Sequence, residues 1–297
     1  MLLSFVHVQR IKISANFQTG LTSFKIIFIF AFISLGFLYA KEGLNTLDTK
    51  MLIPKKETIL NLSFPVSIIY VMYAYSGWNA AIYIGEEIKN PRKNIPLALL
   101  LGVLVVVTLY IGVNLLYVKA FSVEEMSGIL EIGAKTAEKI FGEKLSFLFT
   151  AGITLGLLSV LSAMIMAGPR VYYAMARDGV FFKVFSGVHP ENKTPVFSIL
   201  LQAMIAIFMV LTSTFEALLL YIGFTLSLCA SLTVAGLMKL KKKFVFSAFA
   251  FILTNLWIII FTIITKPLTL LAGFLTILIG FALYQFKFNQ KLKSKGG

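Results

Sequence analysis

Seven stretches of this chain run for 20 residues or more without a charged side chain: Thr58–Gly85, Asn94–Val118, Leu145–Pro169, Thr194–Phe215, Ala217–Met238, Phe244–Thr265 and Pro267–Phe286. An eighth, Thr22–Ala40, is interrupted only by Lys25. A helix needs roughly 20 apolar residues to cross the hydrocarbon core of a bilayer. Residues 194–238 would form one helix of double length were it not for Leu211–Glu216, where Thr-Ser-Thr and the lone charge of Glu216 mark a tight turn. The pattern predicts an all-α polytopic membrane protein with eight transmembrane helices, at about 22–40, 58–85, 94–118, 145–169, 194–212, 217–238, 244–265 and 267–286. Residues 1–21 then form an N-terminal segment and 287–297 a basic tail. Composition agrees: 58% of residues are hydrophobic and 13% charged, about half the charge of an ordinary soluble domain.

The formal net charge of +14 would suggest nucleic acid if the charges were spread evenly. They are not. With the N-terminus placed inside, the inner side collects 18 of the 27 basic residues, including all four arginines, against 4 acids, Glu86, Glu87, Asp178 and Glu191. The outer side balances 9 bases with 9 acids. The whole net charge therefore sits on one side, as positive loops retained in the cytoplasm and drawn to anionic lipid. Both termini are expected to be cytoplasmic, in the plasma or inner membrane, with the bilayer as partner and no nucleic acid. Cys229, the single cysteine, permits no internal disulfide and reads as a small buried hydrophobe. The start MLLSFVHVQR has no basic residue ahead of its short apolar run, so a signal peptide is not expected there. The outer loop Phe121–Lys144 combines mixed charges with near-helical apolar spacing. It is either a surface helix over the outer face or a solvated connector.

The second span is the most informative. It reads SFPVSIIYVMYAYSGWNAAIYIGEEIKNPRKNIP, and Ser76-Gly77-Trp78-Asn79 falls near the middle of its charge-free part. Gly is a weak helix former, and Ser and Asn compete for backbone hydrogen bonds. A break there leaves backbone groups without helical partners, which hydrocarbon tolerates only where they line a cavity or meet a ligand. Broken helices at mid-membrane mark transporter binding sites, because the half-helix ends carry partial charge. The first half ends at Tyr75–Ser76 with carbonyls that suit an ammonium group. The alternative is a Gly-Ser packing notch against a neighbouring helix, with Asn79 as an interhelical hydrogen bond.

Other charged residues carry two readings each. A lysine at mid-depth costs on the order of 3 kcal/mol, so Lys25 is either functional or snorkels to the nearby cytoplasmic surface. Glu86 and Glu87, beside Lys89, Arg92 and Arg170, form either an inner ion-pair latch that alternates with opening or a solvated loop end. His7 and His189 fall in inner segments, so neither a metal cluster nor a buried proton relay is expected, and no cofactor or metal is called for.

AYSGWNAAIYIGEEIKNPRKNIPLAL resembles the sixth helix and following loop of amino acid permeases in the amino acid–polyamine–organocation superfamily, L-type-like branch. Gly77-Trp78-Asn79, Glu86-Glu87, Asn90-Pro91 and Asn94-Ile95-Pro96 sit at the family's spacing. Ala167–Val196, AGPRVYYAMARDGVFFKVFSGVHPENKTPV, resembles the exit of the eighth helix and the inner loop after it. VQRIKISANFQTGLTSFK resembles the entry to the fifth. The resemblance covers essentially the whole chain and aligns its eight spans with helices five to twelve. It implies a partial leucine-transporter-type inverted-repeat fold lacking the first four helices, and with them the Gly-rich break of the first helix that receives the substrate carboxylate.

The resemblance also implies roles. Tyr73 matches an aromatic that closes over substrate from outside. The carbonyls of Tyr73, Ala74 and Ser76 match those that accept the substrate's ammonium group, and Asn79 matches a position that reaches substrate. Gly77 permits the unwound turn, and Trp78 packs it. Lys25 matches a lysine that stands where related carriers bind sodium and links the first helix to the eighth, with Ser159 or Ser162 as its eighth-helix partners here.

Three functions compete. One is secondary transport of amino acids by alternating access, with substrate bound at the broken second span. Another is an inactive truncated remnant, or one half of a split permease that needs a partner chain supplying helices one to four. A membrane enzyme is rejected: no GxSxG with histidine, His/Glu metal spacing or nucleotide loop is present, and no pore loop suggests a channel.

Overall fold

The computed structural model describes residues 2–8, 11–40, 63–241 and 245–293. Every regular element among them is helical. In chain order these are α1 (Leu2–Val8), α2 (Ile11–Tyr39), α3 (Ser63–Ala74), α4 (Ala80–Tyr83), α5 (Pro91–Ala120), α6 (Val123–Met126), α7 (Ile132–Phe141), α8 (Glu143–Arg177), α9 (Val196–Thr212), α10 (Phe215–Lys241), α11 (Phe246–Thr265) and α12 (Pro267–Lys293). Short 3-10 turns occupy Gly85–Glu87 and Lys183–Ser186. Among the described residues, five helices are long and apolar enough to cross a membrane: Ala15–Tyr39, Pro91–Ala120, Glu143–Arg177, Phe215–Leu240 and Phe246–Thr265. Val196–Thr212 and Leu271–Phe286 are shorter apolar helices. These seven helices overlap seven of the eight apolar runs, and the remaining run is the interrupted second one. Its first residues, 58–62, and the outer loop before it lie outside the described residues, as do Arg10, Lys242, Lys243 and Lys295.

Helix ends differ from the charge-delimited spans in a consistent way. α2 begins at Ile11 rather than near Thr22, and α8 continues through Pro169 to Arg177. Charges mark where hydrocarbon ends. Hydrogen bonding marks where a helix ends, and a helix projecting into water keeps its ladder.

Burial differs from that of a soluble protein: beside small apolar cores, polar side chains are fully buried while large apolar ones stand exposed. The most buried side chains include Thr136, Ser159, Ser162, Ser198, Asn255 and Thr262, while Leu101, Phe208 and Leu278 stand exposed. Lipid is as apolar as leucine, so membrane helices put small and polar residues between themselves and present apolar ones outward. This is an integral membrane protein.

Two compact units divide the chain. The first comprises residues 1–53, 79–175 and 183–203. Its core joins Phe32 of α2, Leu116 of α5 and Ala137 of α7, surrounded by Phe37, Tyr117, Ile140, Phe141 and Phe149. Phe141 and Phe149 stack with ring centroids 4.2 Å apart. Helices approach closely where side chains are missing: a Cβ on Gly36 would lie 2.5 Å from Leu116 Cδ2, and one on Gly152 would strike the Phe28 ring. The second unit comprises residues 54–78, 176–182 and 204–297 and packs α3 against α10 and α11, with α12 beside them. Ile69, Phe224 and Ile259 are buried there, and Gly223 makes room for Ile69.

The segment 121–144 is not a solvated connector: it holds a surface helix that packs by one face onto the first unit. Ser122 and Glu125 form a reciprocal capping box that starts α6. α7 then buries Thr136 and Ala137 completely in the first unit's core. Its charges line the outward side, where Lys135 pairs with Glu138 at 2.9 Å.

Candidate functional site

The second span breaks where its sequence is weakest for helix. Tyr75 N–H donates to the Val71 carbonyl at 3.1 Å, and Ser76 N–H then donates to the Tyr73 carbonyl at 3.0 Å, tightening the last turn of α3. Gly77 follows with φ 99°, a backbone conformation that side chains with a Cβ avoid. Asn79 returns to helical dihedrals and opens α4, and Ile82 N–H donates to its carbonyl at 3.0 Å. Helix resumes for one turn only, followed by the 3-10 turn at Gly85–Glu87. The chain therefore holds less helix after the break than an uninterrupted span to Gly85 would require.

The end of α3 carries the negative end of its dipole, concentrated on carbonyls near Tyr73, Ala74 and Ser76. One lone pair of the Tyr73 carbonyl is taken by Ser76 N–H. A carbonyl has two, so the group keeps capacity for a cation. Tyr73, Ser76 and Gly77 are half-buried, and Ala74 and Tyr75 exposed. Trp78 is 46% exposed. Asn79, the first residue of the other unit, donates from Nδ2 to the Tyr83 hydroxyl one turn on.

Within the first unit, one sequence-predicted pair is assembled. Arg170 of α8 donates from Nε to Glu87 Oε1 at 2.6 Å and from a terminal nitrogen to Oε2 at 3.2 Å. This fork-to-fork geometry gives a charge-assisted pair directional strength. Glu86 is exposed on the same turn, and Lys89 and Arg92 are exposed beside it. The motif Asn90-Pro91 with Asn94 is explained locally. Asn90 adopts a left-handed φ of 47°, Pro91 opens α5, and Asn94 Nδ2 donates to the Lys89 carbonyl at 2.6 Å. Those residues shape the turn after the Glu87–Arg170 pair.

Lys25 lies on α2 with its stem alongside Gly156 of α8, 3.8 Å from where a Cβ would stand. Neither expected serine is bonded to it. Ser162 pairs with His7, and Gln18 Nε2 donates to the Ser159 carbonyl at 3.3 Å and to Thr22 at 3.1 Å. Gln18, Thr22 and Lys25 share one face of α2, opposite the Gly156–Ser159 surface of α8. The Ser159 hydroxyl and Gln18 Oε1 are buried without a partner.

Sequence reasoning missed two residues. His7, which the sequence places in an inner segment without naming a partner for it, is 3% exposed, with Nε2 2.8 Å from Ser162 Oγ. Burial and the nearby Arg170 charge lower its pKa below the ordinary histidine value. Its partner lies 155 residues away, beyond any local spacing signal. Gln202 of α9 donates to the Met164 carbonyl of α8 at 3.1 Å, next to Gly168 and Pro169. A glutamine beside a Gly-Pro pair on the neighbouring span was the available signal, since proline disturbs the carbonyls of the turn before it.

Comparison with known proteins places these features in a family. A sequence profile described as amino acid permease matches residues 1–291. The large neutral amino acids transporter small subunit 2 of Mus musculus is 26% identical over 249 residues, 82% of this chain and 46% of that protein. The cystine/glutamate transporter of Homo sapiens is 25% identical over 283 residues, 91% of this chain and 56% of that protein. A serine/threonine exchanger of Bacillus subtilis is 32% identical over 174 residues, 58% of this chain and 40% of that protein. The chain thus spans about half the length of the curated relatives it matches. With its profile match running nearly end to end, this membrane protein belongs to the amino acid permease family.

Proposed function

We propose that the chain serves secondary transport of amino acids across a cell membrane, with both termini cytoplasmic and the substrate's ammonium group held at the broken end of α3. The observation that carries this reading is the interruption itself: Ser76 N–H turned back onto Tyr73 and Gly77 at φ 99° expose the negative end of a helix part-way along an apolar span. The carbonyls of Tyr73, Ala74 and Ser76 accept the ammonium group, Gly77 supplies the turn, and Tyr73 closes over the bound molecule. Asn79 exchanges its Tyr83 partner for a polar group of the substrate. Lys25 takes a coupling or structural role on α2. The Glu87–Arg170 pair is the inner latch of alternating access, released when the inner side opens, with Glu86 beside it. The relatives are named for neutral amino acids, for cystine and glutamate, and for serine and threonine. The shared chemistry is the α-amino acid group, and this is the substrate class assigned.

A second reading follows from the span of the match: the chain is an inactive remnant or one half of a split carrier, completed by a partner chain bearing four further helices. The two readings separate in an uptake assay. Cells expressing the chain alone are compared with cells that also express helices one to four of a relative. Uptake above background from the chain alone supports the first reading. Uptake only with the added helices supports the split carrier, and background in both marks a remnant.

A further inference from the structure

The first unit contains a contact that transport does not explain. α1 is anchored at two points distant in sequence. His7 Nε2 and the Ser162 hydroxyl of α8 share a 2.8 Å hydrogen bond, and Thr194 Oγ1, just before α9, donates to the Val8 carbonyl at 2.9 Å. The Val8 carbonyl is one of the last in α1, a helix-end group that needs an outside partner. Both anchors are dry: His7 is 3% exposed, Thr194 1% and Ser162 fully buried. Thr194 is itself fixed, because His189 N–H donates to its carbonyl at 2.9 Å and Lys193 closes the same turn with φ 57°. α1 thereby ties α8 to the turn preceding α9, on the stretch of α8 that holds Gly168-Pro169, the Gln202 bond and Arg170.

We propose that α1 is a pH-sensitive clasp that holds α8 to the segment before α9 while His7 is neutral and releases them when His7 takes a proton. An imidazolium in a dry site lacks hydration, and unless an anion faces it the charged form is disfavoured. The Ser162 hydroxyl of α8 faces His7, and the Arg170 cation of the same helix, already committed to Glu87, acts on it. The turn that holds Thr194 also carries Lys193, Glu191 and His189, and α2 carries Gln18, bonded to the Ser159 carbonyl, and further along Lys25. Burial and the Arg170 cation both lower the pKa of His7. The undocked state then binds more protons than the docked one, so docking is complete above the free histidine value near 6.5 and weakens as pH falls below it. The clasp stands on this geometry alone and does not depend on which molecule is carried.

The test uses the full chain in lipid nanodiscs and reads amide hydrogen-exchange protection of residues 2–8, normalised to intrinsic rates, near pH 7.5 and about pH 5. Wild type is expected to be protected at the higher pH and to lose that protection at the lower. His7→Gln, which keeps a hydrogen-bonding group but cannot be charged, is expected to hold the same protection at both. Should that variant fail to dock, Arg170→Gln decides: with the opposing cation gone, the loss at low pH becomes smaller than in wild type. Equal wild-type protection at both pH values, absence of protection at either, or a loss unchanged by Arg170→Gln would overturn the proposal.

Discussion

Gly77 and Asn79 are where the account is most exposed at the scale of single residues. Gly77 sits at φ 99°, a conformation that an L side chain adopts only under strain of roughly 1–2 kcal/mol. Gly77→Ala should lower thermal stability in detergent by about 1 kcal/mol and reduce transport in an assembled carrier. Gly20→Ala, on α2 with open space around its Cβ, should instead be neutral or stabilising by about 0.5–1 kcal/mol. Asn79→Ala should abolish substrate binding, while Tyr83→Phe, which removes only the resting partner of Asn79, should leave binding largely intact. Unchanged uptake in Asn79→Ala would take that residue out of the site. The Ser-Gly-Trp-Asn break was legible because its helix-breaking chemistry is local. His7 was not, because burial by a helix 155 residues away leaves no mark on its neighbours in sequence.

Among the helices, the spans were legible from the lengths of charge-free runs, and the turn between α9 and α10 from Thr-Ser-Thr-Phe-Glu. What the sequence could not show was contact between helices. Phe28 against Gly152 and Leu116 against Gly36 are fits between α2 and its neighbours that no single helix reveals. Gly152→Val should therefore destabilise the first unit by about 1–3 kcal/mol, the usual cost of overpacking, and Gly236→Val, with nothing near its Cβ, should not. Thermal melts of the two variants in one detergent check this. The Glu87–Arg170 pair joins the turn after α4 to α8, with side chains 35% and 12% exposed. Glu87→Gln should cost stability by about 0.5–1 kcal/mol, less at high salt, because the pair is partly solvated. Under the latch reading the same change raises the fraction of inward-open molecules, measured as faster labelling of a cysteine placed beside Arg170. Equal labelling in both proteins would reduce the pair to a structural tie.

At the scale of the whole molecule, the proposed orientation places the basic loops on the cytoplasmic side. It predicts that cysteines introduced near Arg92 and Lys183 are protected from an impermeant thiol reagent in intact cells, and one near Lys135 is labelled. The chain spans about half the length of its relatives and exposes apolar surface along nearly every helix. Expressed alone, it should associate or aggregate in detergent, and a monodisperse monomer with one cooperative melt would count against the need for further helices. The central claim is that the broken end of α3 holds the ammonium group of an amino acid. Its most direct test is competition binding to the reconstituted chain, with and without the four preceding helices of a relative, using a panel of L-amino acids and their N-acetyl derivatives. The account predicts saturable binding of at least one free amino acid and none of its N-acetyl form, which presents no cation to the Tyr73, Ala74 and Ser76 carbonyls. Equal binding of the acetylated compound, or saturation by none of the panel in the completed carrier, would contradict it.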